Sequence, residues 1–163
     1  MTQAKEHRYN ISTLWSGGAH GPTRDYKSYS REHQIEIDGK PPIPCSSDPA
    51  FMGDPTRHNP EEMLVAAISA CHMLWYLHLC ATKGVVVTSY TDTAEGIMIE
   101  EPHNGRFREV VLRPTVTITG ASDPAIAESL HEPAHNECFI ANSVNFPVRC
   151  EPTIIIQEAD AAE

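Results

Sequence analysis

The stretch from Asn59 to Gly84, NPEEMLVAAISACHMLWYLHLCATKG, decides the fold. Asn59 can cap a helix, Pro60 suits its first turn, and Glu61 and Glu62 favour its positive end. From Met63 to Ala81 the residues are apolar almost all round, and Lys83-Gly84 supplies a stop. Ser69, His72 and His78 interrupt the apolar run, so it reads as the buried helix of a soluble protein rather than a membrane span. A helix apolar on every side must be surrounded, by sheet on one flank and by another helix on the other. Ala66, Ala67, Ser69 and Ala70 would let a neighbouring backbone come close.

On the N-terminal side, residues 1–58 are polar and rich in turns, with Gly17-Gly18, Gly21-Pro22 and Gly39-Lys40-Pro41-Pro42 punctuating short alternating runs such as Gln34-Ile35-Glu36-Ile37. Two or three antiparallel strands fit, with Pro44 to Arg57 as loop. On the C-terminal side, Val85 to Ile99 and Arg106 to Thr119 read as strands with period 2, with Gly105 at the hairpin between them. Asp123-Pro124 opens a short helix to His131, and Pro133 interrupts before a second helical piece over His135 to Ser143. Val148 to Gln157 closes the chain as a strand. The expected class is α+β in one domain over 1–163. Its parts are strands and loops at 1–58, a central helix at 59–83, strands at 85–119, a helical segment at 123–143 and a strand at 148–157.

A formal net charge of −10 and the lack of any Lys/Arg run argue against nucleic acid and anionic membranes as partners. The N-terminus, MTQAKEHRYNISTLWSG, has no apolar core of a secretory signal, which makes a cytoplasmic location the expectation. The 5 cysteines form no close pairs and do not read as a secreted disulfide framework. In a reducing compartment they are core fillers or reactive thiols. A lone helical Cys such as Cys71 is ordinarily a small core residue. Cys80 falls on the opposite helix face and keeps that reading. Cys138, in HNECFIANS, has a more polar setting, while Cys45 and Cys150 carry no local signal. HEPAH (His131, Glu132, His135) matches a zinc-hydrolase pattern, but Pro133 inside it puts the helical spacing in doubt, and no third ligand is evident.

Taken together, NPEEMLVAAISACHMLWYLHLC and the downstream AHNECFIANS resemble the OsmC/Ohr family, the osmotically inducible protein C and organic hydroperoxide resistance proteins. In that family Asn-Pro-Glu-Glu precedes an Ala-rich helix with a reactive Cys, and a second Cys follows an Ala-His pair far downstream. The resemblance implies curved antiparallel sheets wrapped around the long central helix of an intertwined homodimer. It implies that Cys71 is the peroxidatic thiol, Cys138 the resolving thiol and Glu61 the glutamate of the site. The arginine falls on Arg24, in the Arg24-Asp25 turn ahead of Ile35-Glu36-Ile37, with Arg31 in reserve. Phe139 stands where the family usually has Pro.

The implied function is a cysteine-based peroxidase (an antioxidant oxidoreductase of the oxidative stress response) that reduces a small organic hydroperoxide through a Cys71 sulfenic acid and a Cys71–Cys138 disulfide. An external dithiol, for which a lipoylated protein is one source, recycles it, and no metal or organic cofactor is expected. The residue types suit this chemistry. A thiolate rather than a thiol attacks peroxide. Arginine keeps its charge and offers a donor fork to sulfur and oxygen. A carboxylate can hold that arginine, and a second thiol captures the sulfenic acid before it oxidises further. Glu61 and Cys71, ten residues apart on one straight helix, would be about 15 Å apart. A site holding both therefore needs two chains, which predicts a homodimer. Two alternatives stand beside this reading: a non-catalytic protein binding a small apolar ligand on the same scaffold, and a metal-dependent hydrolase built on HEPAH.

Overall fold

The computed structural model describes residues 5–157. The chain forms two compact units divided after Met63.

In the first unit, three strands, β1 (Ser12–Trp15), β2 (His33–Glu36) and β3 (Ile43–Cys45), make an antiparallel sheet in that order. Strand β3 runs into the segment expected to be loop. Pro44 sits opposite Gln34, which is tolerated because β3 is an edge strand and Pro need donate nothing there. Cys45 then bridges to His58, and the Ser46 N–H donates to the His58 carbonyl at 2.9 Å. Gly53 permits the tight turn between these contacts, since a Cβ there would lie 1.6 Å from the Ser47 carbonyl oxygen.

The helix expected from Asn59 onward is α1 (Pro60–Lys83). Its start is a reciprocal capping box: the Glu62 N–H donates to Asn59 Oδ1 at 2.8 Å, and the Asn59 N–H donates to Glu62 Oε2 at 3.4 Å. Its end is Gly84 at φ 75°, with the Val85 N–H donating back to the Cys80 carbonyl at 3.0 Å. Within one chain only a single stripe of α1 is fully buried, at Ile68, His72, Tyr76 and Cys80, each one turn beyond the last. Ala66, Ala67, Ala70, Leu74 and His78 stay exposed, so the chain by itself does not enclose the helix on all sides.

The strands of the second unit correct the expected layout. Each long run breaks into two: β4 (Val87–Asp92) and β5 (Glu95–Ile99), β6 (Arg106–Leu112) and β7 (Pro114–Ile118), β8 (Val148–Cys150) and β9 (Thr153–Ile156). The pieces sort into two three-stranded sheets, β5-β6-β8 and β4-β7-β9. The β6–β8 and β7–β9 pairs are parallel, where an all-antiparallel arrangement was expected. Proline accounts for two of the breaks, because Pro114 and Pro152 lack the N–H that would continue a ladder. At that corner Asp92 Oδ1 accepts from the Arg113 N–H at 2.7 Å, and the Arg113 guanidinium spans Glu95 (3.2 Å) and Glu151 (3.1 Å).

The buried stripe of α1 crosses the same corner. Ile68 packs with Val110 and Leu112 on one side, and Tyr76 and Cys80 pack with Val116, Ile118, Ala127, Leu130 and Ala134 on the other. His72 lies between them in the stripe. Two short helices follow the sheets, α2 (Pro124–Ser129), capped by Asp123, and α3 (His131–Glu137). Pro133 does not interrupt α3 but sits in its first turn, where the missing N–H costs no helical hydrogen bond. The helical piece expected at His135 to Ser143 therefore begins four residues earlier and ends at Glu137, and only a short 3₁₀ turn at Ala141–Ser143 follows.

Candidate active site

Helix α1 carries Cys71 on the flank of its buried stripe, so that this thiol is half-buried while its neighbour His72 is sealed inside. Cys138 is the C-cap of α3 and fully buried; its N–H donates to the His135 carbonyl at 3.2 Å. Its Sγ accepts from the Ala141 N–H at 3.4 Å. The fold brings Cys71 into the neighbourhood of Cys138, near enough to act on the ionisation of its thiol. Burial pushes the Cys138 thiol up to about 11, and Cys71 adds to the rise while the Ala141 N–H opposes it. Both thiols are free.

Next to this pair the surface is apolar. Leu74, Trp75 and His78 line a shallow depression of about 260 Å³. Phe139, the residue after Cys138, is 68% exposed and meets the Trp75 ring edge-on at a centroid distance of 5.6 Å.

The remaining expected residues belong to the first unit. The carboxylate of Glu61, in the first turn of α1, has a buried oxygen, Oε2, with no hydrogen-bond partner among the described residues. Arg24 is exposed and forms no ion pair among the described residues; its backbone N–H donates to Ser28 Oγ at 3.0 Å. The guanidinium of Arg31 is already engaged. It donates to the Tyr29 carbonyl at 2.5 Å and to the Tyr26 carbonyl, and it lies over both rings at 4.6 Å (Tyr26) and 3.9 Å (Tyr29). Arg57, three residues before α1, was not among the expected residues. It pairs with Glu32 at 3.2 Å and Asp54 at 3.5 Å.

The sequence reading also missed a cluster behind Cys71. His72 Nε2 and His131 Nδ1 face each other at 3.0 Å, and Cys150 Sγ lies 3.7 Å from each. The only local signal was HEPAH, which contains His131 but directs attention to His135, one turn along α3 and outside the cluster. Burial holds both imidazoles neutral, pulling His72 down to about 4 and His131 to about 3. The same burial pushes the Cys150 thiol up to about 12.

A mixed α+β chain with a long helix and several small sheets is the fold of the OsmC-like proteins. The OsmC-like protein family matches residues 53–153, and the chain belongs to that family. An OsmC-like protein of unknown function from Vibrio cholerae is 36% identical, with a TM-score of 0.82 over 90% of this chain and 99% of that one. An organic hydroperoxide resistance protein OsmC, described as a predicted redox protein, from Legionella pneumophila shares the fold at 18% identity, with a TM-score of 0.67 over 93% and 99%. So does an organic hydroperoxide resistance protein from Elizabethkingia anophelis, at 20% identity and a TM-score of 0.64 over 94% and 100%. No curated protein matches the chain at a significant level.

Proposed function

We propose that this protein is a thiol-dependent peroxidase that reduces organic hydroperoxides to alcohols in the cytoplasm. The observation that carries the reading is the nearness of Cys71 to Cys138, a thiol from a distant part of the chain on whose ionisation it acts. Their unequal exposure divides the labour. The Cys71 thiolate, half open to solvent, attacks the terminal oxygen of the hydroperoxide. The O–O bond breaks, the alkoxide leaves and takes up a proton to become the alcohol, and Cys71 is left as a sulfenic acid. The buried Cys138 sulfur then attacks the Cys71 sulfur, forming the disulfide and releasing water. An external dithiol, such as that of a lipoylated protein, reduces the disulfide and is itself oxidised.

An attack at neutral pH needs a fixed cation beside Cys71. Arg24, exposed and without an ion pair among the described residues, has an uncommitted guanidinium for this work, whereas the donors of Arg31 are committed to Tyr26 and Tyr29. The unpartnered Oε2 of Glu61 suits a carboxylate that receives such a guanidinium. Glu61 and Cys71 are ten residues apart on one helix, about 15 Å along its axis, so the site is completed across a two-fold axis by a second chain. The apolar face of α1 left open at Ala66, Ala67, Ala70 and Leu74 supports such a homodimer, which sedimentation would detect as a dimer at micromolar concentration. A monomer would remove this arrangement. The apolar depression and Phe139 favour an alkyl or aryl group on the substrate over hydrogen peroxide itself.

The test is turnover. Reduced protein given cumene hydroperoxide and dithiothreitol should release the alcohol over many cycles. Saturable binding of the hydroperoxide without any alcohol would instead make the same surface a ligand-binding site.

A further inference from the structure

We propose that His72, His131 and Cys150 form a binding site for one zinc ion, separate from the thiol pair and independent of the peroxidase reading. Three elements deliver the ligands: His72 from the buried stripe of α1, His131 from the first turn of α3 and Cys150 from the last position of β8. The three ligand atoms lie within 4.8 Å of one another. A tetrahedral zinc with bonds of about 2.0–2.1 Å to nitrogen and about 2.3 Å to sulfur places its nitrogens about 3.3 Å apart and each about 3.6 Å from the sulfur. The observed separations are 3.0 Å between the nitrogens and 3.7 Å from each to sulfur. Only a few tenths of an ångström separate the two sets.

The chemistry of the donors points to the same ion. Two imidazole nitrogens and one thiolate suit zinc and exclude the oxygen-seeking magnesium and calcium. His72 is 1% and His131 4% exposed, and Tyr76 stacks on the His131 ring at 3.9 Å, which orients it toward the cluster. A hydrogen bond between the two rings occupies one lone pair, and the Cys150 thiol adds only a weak donor. A cation instead takes a lone pair from all three atoms.

On binding, the ring that donates the hydrogen bond between them shifts its proton to its outer nitrogen, so that His72 Nε2 and His131 Nδ1 both offer a lone pair to the metal. The Cys150 S–H bond breaks, its proton goes to solvent, and a zinc–sulfur bond replaces it. The ion and the thiolate then carry one net positive charge. Asp92, near enough to act electrostatically on both His72 and Cys150, balances that charge inside the fold. Because α1 also carries Cys71, and Cys138 caps the C-terminus of α3, a zinc ion here would tie together the two helices that present the thiol pair.

The experiment uses the reduced full-length protein, titrated with zinc alone against a chromogenic chelator and, in parallel, with cobalt(II) alone as a spectroscopic stand-in. One equivalent should bind per chain, and the cobalt form should show a near-ultraviolet sulfur-to-metal charge-transfer band. Cys150→Ser should lose the band, and His131→Gln should lose stoichiometric binding. Cys71→Ser and Cys138→Ser should retain both. Binding below one equivalent, or a band that survives Cys150→Ser and vanishes with Cys71→Ser, would overturn the site. Should the ligand variants fail to fold, X-ray absorption on the wild-type zinc complex decides. Two imidazoles and one sulfur support the assignment; two sulfurs, or none, contradict it.

Discussion

Cys71 and His72 are adjacent on α1, yet they face different worlds. Cys71 sits at the edge of the buried stripe, half open, opposite the buried thiol of Cys138. His72 faces inward to His131 and Cys150, where nothing is more than partly exposed. About 100° of helical rotation separates the two positions. On the proposed function, one helix turn serves reactivity on one side and recognition or packing on the other. A sulfur must be reachable to meet a peroxide, whereas a metal ligand or core thiol benefits from being sealed. Burial raises Cys138 to about 11 and Cys150 to about 12, so neither buried sulfur is an effective nucleophile toward peroxide on its own.

The contrast breaks most severely at Cys71. Cys71→Ser should lower hydroperoxide turnover by roughly 10³-fold or more, as loss of a nucleophile does. Cys138→Ser should leave the first attack intact and let a dimedone-type reagent label the sulfenic acid on Cys71. If Cys138→Ser abolished peroxide consumption within the first turnover as well, the assignment of roles would be reversed.

Next in size is the packing that holds α1 over its sheet. Ile68 is fully buried against Val110 and Leu112, so Ile68→Ala should cost about 2–5 kcal/mol in urea unfolding. Leu74→Ala, on the exposed face, should cost far less in a dissociated chain.

The pH dependence of the second step sharpens the comparison further. Because the Cys138 thiol is raised to about 11, its thiolate fraction grows about tenfold per pH unit between 7 and 9. Disulfide closure after a single oxidation, followed by stopped flow, should accelerate accordingly. A closure rate flat across that range would mean that the fold supplies the proton transfer itself.

Smaller still is Phe139→Ala, which should raise KM for an aryl hydroperoxide a few-fold, by about 1 kcal/mol of lost apolar contact, with kcat little changed. At the bottom of the scale, the exposed Arg113 pairs with Glu95 and Glu151 should contribute less than about 1 kcal/mol, so Arg113→Ala should move the unfolding midpoint only slightly.

Much of this was legible in the sequence for a physical reason. The Asn59-Pro60-Glu61-Glu62 start and the Gly84 stop of α1 are local chemistry, and the capping box and the left-handed glycine follow from residues a few positions apart. Strand existence was local too, because period 2 survives in Val110 to Ile118. The break at Arg113-Pro114 had a local cue in the proline, but the side-chain alternation runs on through it while the hydrogen bonding changes sheets, so the pattern alone hides it. Parallel pairing of β8 and β9 with β6 and β7 depends on where a distant segment returns, which no local pattern encodes. Pro133 misled for the opposite reason: its effect depends on where the helix begins, and a start at His131 makes it harmless. The Cys71–Cys138 pairing was expected from a family resemblance, not from spacing. The His72–His131–Cys150 cluster joins three segments that carry no common motif, and only the folded chain places them side by side.

The central claim is most directly tested by adding one equivalent of an alkyl hydroperoxide to the reduced protein, quenching with an alkylating agent in denaturant so that the buried thiols also react, and mapping the peptides by mass spectrometry without reduction. The account predicts a single new cross-link joining the Cys71 and Cys138 peptides, with Cys45, Cys80 and Cys150 still alkylated as thiols. Unmodified Cys71 and Cys138 with the hydroperoxide intact, or a cross-link through any other pair, would contradict it.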